Sequence, residues 1–477
     1  MVASVSAARV ASLVGAFDRS PAYLGLADAL TLLVGDGRIG FDVRLPSERE
    51  LTEALGVSRT TVTRAYALLR ETGYAASRQG SGTFTRVPGG RARSHDRALL
   101  PGVDDGDAVD LNCAAAAAPV GLLQAYSDAA GDLPAYLGGH GYFPTGLPRL
   151  QQRIAEAYAA RGLATDPDQV LVTPGALSAA AVVAQAFTGR GDRVLVESPV
   201  YPNATQALRN AGARLVPSAV DPDGWDLDAV GATLRAARPR LAYLVPDFQN
   251  PTGHVMSDDQ RAAYAAHLRA AGTRAVVDEA HQALALDGQP MPLPFAAHAP
   301  GTITIGSASK SFWGGLRLGW IRAPHECLEQ LQEARLALDL GAPVLEQLTL
   351  ARLLETGPVL PGHVEQLRAQ RDRLVAEMTA RLPEWRFHTP GGGLALWIEL
   401  PSARGSALAA AAEQHGVIVA PGPVFAAEGG LDRFVRVPWT RRPDELALAV
   451  ERLAHAWADV RDAPATRVRR GTRVMVA

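Results

Sequence analysis

The chain has 477 residues, more than the ~250–300 that a single hydrophobic core usually serves, so two or more domains are expected. Apolar residues make up 47% and charged residues 20%, with a net charge of −2, which excludes fibrous and disordered classes and requires any nucleic-acid binding to come from a local surface. No apolar run reaches ~18 residues, the start lacks a signal-peptide pattern, and Cys113 and Cys327 give neither metal spacing nor a disulfide framework, so a cytoplasmic protein with no membrane partner and no metal is predicted.

The first patterned stretch is residues 45–86, LPSERELTEALGVSRTTVTRAYALLRETGYAASRQGSGTFTR. Ser47 followed three residues later by Glu50 is a capping box that opens a short helix, and Gly56 ends it. Ser58 caps a second helix, in which Val62, Ala65, Tyr66 and Leu69 fall at helical spacing and leave Arg59, Thr60, Thr63 and Arg64 outward. Beyond Gly73, two extended segments, 74–78 and 83–86, flank the turn 79–82 and predict a two-stranded wing.

Helix, turn, helix and wing in this order, with LPSERELTEALGVSRTTV at the centre, resemble the winged-helix domain of GntR-family transcription regulators. The resemblance implies that the second helix enters the major groove of a double-stranded DNA operator, as in helix-turn-helix proteins generally. It places Arg49, Ser58, Arg59, Thr60, Thr61 and the wing-tip Gly80 at DNA-binding positions. Thr63 stands where relatives often carry arginine, which leaves Arg64 either as a substitute reader or as a solvated face charge.

Residues 87–107, VPGGRARSHDRALLPGVDDGD, combine Gly, Pro and mixed charge without apolar period, which is linker composition. They separate a DNA-binding domain at 1–86 from a larger domain at 108–464. The last stretch, 465–477, carries Arg467, Arg469, Arg470 and Arg473 and reads as a basic tail, either solvated or in contact with phosphates.

The larger domain alternates apolar strands with Ala- and Leu-rich helical stretches. Strands are expected at 193–197, 214–218, 241–246, 275–278 and 302–306, which predicts an α/β domain with a mostly parallel sheet. Open sheets of this kind bind ligands beyond the C-terminal ends of their strands. Lys310 lies just there, and it is the only lysine in the chain. Guanidinium stays protonated, whereas an amine can lose its proton and attack a carbonyl carbon, so Lys310 is the position where arginine would not suffice.

A pyridoxal phosphate site needs an amine for the aldehyde, a carboxylate for the pyridine nitrogen, a donor for the ring oxygen and donors for the phosphate. The chain offers these in order: Asn250 in QNPTG, Asp278 in VVDEAHQAL, Lys310 in GSASKSF and Arg317 in GGLRLGW. The ordered set resembles the fold-type I, aspartate aminotransferase-like family, which implies a large α/β domain plus a small α+β domain with pyridoxal 5'-phosphate as cofactor.

Carried over by resemblance, Lys310 forms the Schiff base, Asp278 pairs with the pyridine nitrogen and Asn250 bonds the ring oxygen. Arg317, Ser307 and Ser309 hold the phosphate together with the helix start at Gly175, Ala176 and Leu177. A helix start suits an anion through its free N–H groups and dipole. Tyr201 matches the aromatic that stacks on the cofactor ring. Tyr142 matches a tyrosine that reaches the phosphate from a partner subunit, with a core aromatic as the other reading. Arg436, in RFVRVPWT, matches the effector-carboxylate arginine. His281 stands where the family usually carries a tyrosine on the ring oxygen; histidine can donate the same bond, but a charged ring would alter the chemistry.

A GntR-like winged helix joined by a linker to an aminotransferase-like domain resembles the MocR subfamily of transcription regulators. The resemblance implies a head-to-tail homodimer whose aminotransferase-like domain senses an amino compound, or pyridoxal phosphate itself, through Lys310. An active aminotransferase with an accessory winged helix is the alternative; with His281 in place of tyrosine, at most residual transaminase turnover is expected.

Overall fold

In the computed structural model, the described residues are 4–35, 39, 43–78, 81–86, 108–220, 222–427 and 429–462. The predicted linker, the basic tail and Gly80 lie outside them. Two compact units divide the chain, Met1–His95 with Ala118–Ser127, and Asp96–Ala117 with Asp128–Ala477.

The first unit holds helices Ala7–Val14, Ala22–Gly35, Glu48–Leu55 and Arg59–Glu71, followed by β1 (Ala75–Arg78) and β2 (Gly82–Thr85). Both sides of the Ser47–Glu50 capping box form, and Gly56 ends that helix in the left-handed region at φ +62°. Ser58 accepts the Thr61 N–H at 3.1 Å and starts the next helix as expected. The apolar face of that helix, Val62, Ala65, Tyr66 and Leu69, packs into a core with Leu26, Leu30 and Leu51. The buried Tyr66 hydroxyl is satisfied by the Pro46 carbonyl at 2.9 Å. β1 and β2 pair antiparallel with Arg78 opposite Gly82, which is the predicted wing.

Among the described residues, the second unit has β3 (Val109–Asp110) first and then a sheet of seven strands: β4 (Val170–Thr173), β5 (Arg193–Ser198), β6 (Arg214–Ala219), β7 (Leu241–Leu244), β8 (Arg274–Asp278), β9 (Ile303–Ser307) and β10 (Gly319–Arg322). Their order across the sheet is β4-β10-β9-β8-β7-β5-β6. β10 runs antiparallel to β4 and β9, and the other neighbours are parallel. Runs such as Leu241–Leu244 and Ile303–Ser307 are buried throughout, as strands covered on both faces must be. The five expected strands are present with ends shifted by one or two residues. β4 and β10 were not predicted; β10 mixes Gly, Trp and Arg so that no apolar run marks it.

A smaller sheet, β11-β14-β13, uses β11 (Ala395–Glu399), β13 (Ala420–Pro421) and β14 (Phe434–Pro438). Beside it β12 (Val417–Ile418) pairs in parallel with β3. Helices His363–Arg381, Gly405–Gln414 and Pro443–Arg461 belong to the same region. Leu367, Leu374, Leu396, Ile398, Val437, Leu446 and Leu453 form its core, each worth ~1.5–3 kcal/mol of burial. No helix of the described residues is long and apolar enough to cross a membrane.

Candidate functional site

Lys310 is placed by the end of β9. Ser307 Oγ accepts the Ser309 N–H at 3.2 Å and caps the short helix Ala308–Ser311, which turns Lys310 inward to 9% exposure. Its Nζ donates to the Ala114 carbonyl at 2.9 Å. Burial pushes the ammonium down to about 8, Arg436 and Arg317 push the same way, and Cys113 and Asp278 oppose them. An amine poised there exposes a nucleophilic lone pair near neutral pH, which a surface lysine does not.

Asp278 ends β8, one strand away. Its Oδ2 accepts the Tyr243 hydroxyl at 2.5 Å and its Oδ1 accepts the Ala280 N–H at 2.9 Å. Burial raises its pKa, and the Tyr243 and Ala280 bonds hold it back. A buried carboxylate of this kind needs a cationic N–H partner, and a pyridinium supplies one. Tyr243 was missed in the sequence, although a tyrosine inside the aliphatic strand LAYL, seven residues before Asn250, was the available signal.

The residues expected at the phosphate converge through the backbone. Gly319 pairs with Ser307 across β9 and β10, and a Cβ on Gly319 would lie 2.5 Å from Ala176 N. Gly175 adopts φ +95° and starts the helix Ala176–Phe187, which has no side-chain cap. A Cβ on Gly175 would meet Arg317 Nη2 at 2.8 Å, so the glycine is what lets the guanidinium lie over the helix start. Arg317 itself is exposed, with φ +49°. Leu177 points its side chain out, at 39% exposure, so only its backbone is available to an anion. The donors fit a phosphate, and Lys310 and Asp278 fit the aldehyde and ring nitrogen of pyridoxal phosphate; bound there, the cofactor supplies the electrophile for amine chemistry.

Arg436 is fully buried on β14. Its Nη2 donates to the Asn112 carbonyl at 2.6 Å, its Nη1 to Asn250 Oδ1 at 3.3 Å, and its Cζ stands 4.9 Å from the Phe425 ring centroid. Burial lowers its pKa to about 10, so it remains charged at neutral pH. Asn250 thus holds Arg436. Tyr201 lies half-buried at the start of helix Pro202–Asn210, its hydroxyl accepting from Asn203 at 2.9 Å. Tyr142 is 57% exposed and stacked on His140, so it is not a core aromatic.

His281 commits its ring proton to the backbone. Nδ1 faces the Phe248 carbonyl at 3.1 Å, and a carbonyl only accepts, so Nδ1 carries the proton. Burial, reinforced by Lys310, lowers the ring pKa to about 4. At neutral pH His281 is therefore uncharged and its Nε2 is an acceptor, unable to donate to a ring oxygen as tyrosine would.

In the first unit, Arg59 and Thr60 are exposed at the start of the helix Arg59–Glu71. Ser58 and Thr61 hydroxyls are 2.8 Å apart, and Arg49 pairs with Glu53 at 3.5 Å. Arg64 is not a free face charge: its Cζ lies 3.7 Å from the Tyr23 ring centroid.

Comparison with known proteins gives two family matches, aminotransferase class I and II over residues 120–453 and the bacterial regulatory proteins of the gntR family over residues 22–85. The HTH-type transcriptional regulator YdcR of Escherichia coli is 29% identical, over 87% of this chain and 94% of its own length. The probable rhizopine catabolism regulatory protein MocR of Rhizobium meliloti is 28% identical, over 76% of this chain and 78% of its own length. The crystal structure of LysN, the alpha-aminoadipate aminotransferase of Thermus thermophilus, aligns with a TM-score of 0.67 at 29% identity, over 74% of this chain and 93% of that one. The chain therefore belongs to the class I and II aminotransferase family and, with its gntR-type winged helix in front, to the MocR-type transcription regulators: it is a DNA-binding regulator with a pyridoxal phosphate-binding, aminotransferase-like domain.

Proposed function

We propose that the aminotransferase-like domain senses an amino compound carrying a carboxylate, and that its binding state sets the DNA affinity of the winged helix. The observation that carries this reading is the placement of two cationic donors on one stretch of backbone. Lys310 donates to Ala114 and Arg436 to Asn112, so an amine and a guanidinium are presented side by side. Lys310 would hold the cofactor's aldehyde and exchange it for an effector amine, while the planar guanidinium of Arg436 grips the carboxylate. Asp278 would keep a proton on the ring nitrogen, and Gly175, Ala176, Ser307, Ser309 and Arg317 would fix the phosphate. Each site thereby changes partners when the effector arrives, which is the differential interaction a ligand needs to shift a conformational balance.

His281 favours sensing over turnover. A neutral acceptor cannot supply the donor that a tyrosine brings to the ring oxygen. The domains at 1–86 and 108–464 would work as one regulator, in a head-to-tail homodimer in which Tyr142, exposed on the surface, reaches the partner.

Borohydride reduction followed by peptide mapping tests the site: the label is expected on Lys310, and a label elsewhere sinks the assignment. Addition of an amino-acid panel tests the role. Spectral change with altered DNA binding and no turnover supports the sensor; keto-acid-dependent turnover without any effect on DNA binding replaces it with the enzyme. Arg59→Ala is expected to abolish specific DNA binding while leaving the cofactor spectrum unchanged.

A further inference from the structure

Thr63 Oγ1 donates to Glu48 Oε2 at 2.7 Å. The bond joins the first residue of helix Glu48–Leu55 to the second turn of helix Arg59–Glu71, on the exposed side that also carries Arg59 and Thr60. A carboxylate on a DNA-facing surface repels phosphates and lowers sequence-independent affinity, so its presence there calls for a compensating contact. Two arginines of these helices are engaged elsewhere, Arg49 with Glu53 and Arg64 with the Tyr23 ring.

Thr63 has one hydroxyl proton, and Glu48 takes it. What the pair then offers to a base is lone pairs alone, from the carboxylate and from the hydroxyl oxygen. In the major groove, guanine and thymine present acceptors that such a surface repels. Adenine presents an amine flanked by the N7 acceptor. Cytosine presents the N4 amine with no second acceptor on its own ring, and it is the natural match for a carboxylate. Arg59 lies four residues before Thr63 on the same face and offers the opposite set, donors suited to guanine O6 and N7. Four residues rise about 6 Å along a helix, close to the spacing of about two base steps.

We propose that Glu48, held in place by Thr63, is a specificity-determining residue that reads a cytosine in the major groove about two base steps from a guanine read by Arg59. The inference rests on the major-groove placement of helix Arg59–Glu71. Thr63 is then the residue that orients the reading carboxylate.

The experiment is selection of a fully randomised duplex library by the full-length, pyridoxal phosphate-loaded protein, run in parallel for wild type, Glu48→Gln, Glu48→Ala and Arg59→Ala. Affinities are then measured on the winning duplex and on one with the cytosine replaced. Glu48→Gln keeps an oxygen for Thr63 but presents an amide donor, so the selected base is expected to change while binding survives. Glu48→Ala is expected to lower discrimination at that position by about tenfold or more and to tighten binding to unrelated duplex, because a repelling charge is gone. A merely structural Glu48 would give neither change. If both Glu48 variants select the wild-type sequence with unchanged discrimination while Arg59→Ala abolishes specific binding, the cytosine assignment fails and the groove placement stands. If Arg59→Ala leaves specific binding intact, both fail.

Discussion

Tyr243 donates its phenolic proton to Asp278 across 2.5 Å in the interior of the sheet, joining the middle of β7 to the end of β8. Burial alone would drive Asp278 towards its neutral form, which cannot hold a proton on a pyridine nitrogen; the Tyr243 bond opposes that drift. Tyr243→Phe removes one oxygen from a packed strand and leaves the rest of the ring in place. A hydrogen bond to a charged group is worth ~1.5–3 kcal/mol, so cofactor affinity is expected to fall by about ten- to a hundredfold with the fold retained. Absorbance titration with pyridoxal phosphate reads the affinity, and an unchanged titration would sink the coupling.

Lys310 gives a pH prediction for the cofactor-free protein. Its amine titrates near 8 when folded and at 10.5 as a free side chain. A depressed pKa means stability is fully present above 10.5 and is lost as pH falls through 8, because the folded state must then bury a charge. The cofactor-free wild type is expected to lose on the order of 3 kcal/mol across that window as pH falls, relative to Lys310→Met. Paired denaturant melts at pH 7.5 and at about pH 10.5 cancel the other titrating groups. Equal pH slopes for the two proteins would refute the burial of a charged amine.

How much of this was readable in advance depended on whether the signal was local. Ser47, Glu50, Gly56 and Ser58 determine helix ends through bonds that span three or four residues, and each behaves as its type predicts. Lys310, Asp278 and Arg436 were visible because their chemistry is rare in such positions, and all three are buried. Tyr243, by contrast, acquires its role only when β7 lies beside β8, thirty-five residues apart along the chain. The direction of the His281 bond likewise depends on the Phe248 carbonyl, which no spacing in the sequence announces. Backbone carbonyls as partners, at Asn112 and Ala114, are invisible to any reading of side-chain types.

Arg436→Lys separates charge from geometry. Lysine keeps the positive charge but has no fork, so it cannot hold Asn112, Asn250 and a bidentate carboxylate in one plane. Binding of amino acids is expected to weaken by about tenfold or more, whereas binding of the corresponding amine without a carboxylate stays within about twofold. Spectral titrations with matched pairs, an amino acid and its decarboxylated amine, measure both. Parallel losses for the two ligands would show that Arg436 shapes the pocket and does not read the carboxylate.

Gly175→Ala tests the phosphate cup from the backbone side. The glycine has φ +95°, a conformation that alanine adopts only with strain, and its new Cβ would stand 2.8 Å from Arg317 Nη2. The guanidinium must withdraw from the start of helix Ala176–Phe187, where it and the uncapped N–H groups would share the phosphate. Affinity for pyridoxal phosphate is expected to drop by about tenfold or more, since a charge-assisted contact is lost. Pyridoxal, which has the aldehyde and ring but no phosphate, should bind Lys310 almost equally well in wild type and variant. The ratio of the two affinities is therefore the readout: a loss shared by both ligands would point to general distortion of the β4–helix turn and would remove Arg317 and Gly175 from the phosphate site.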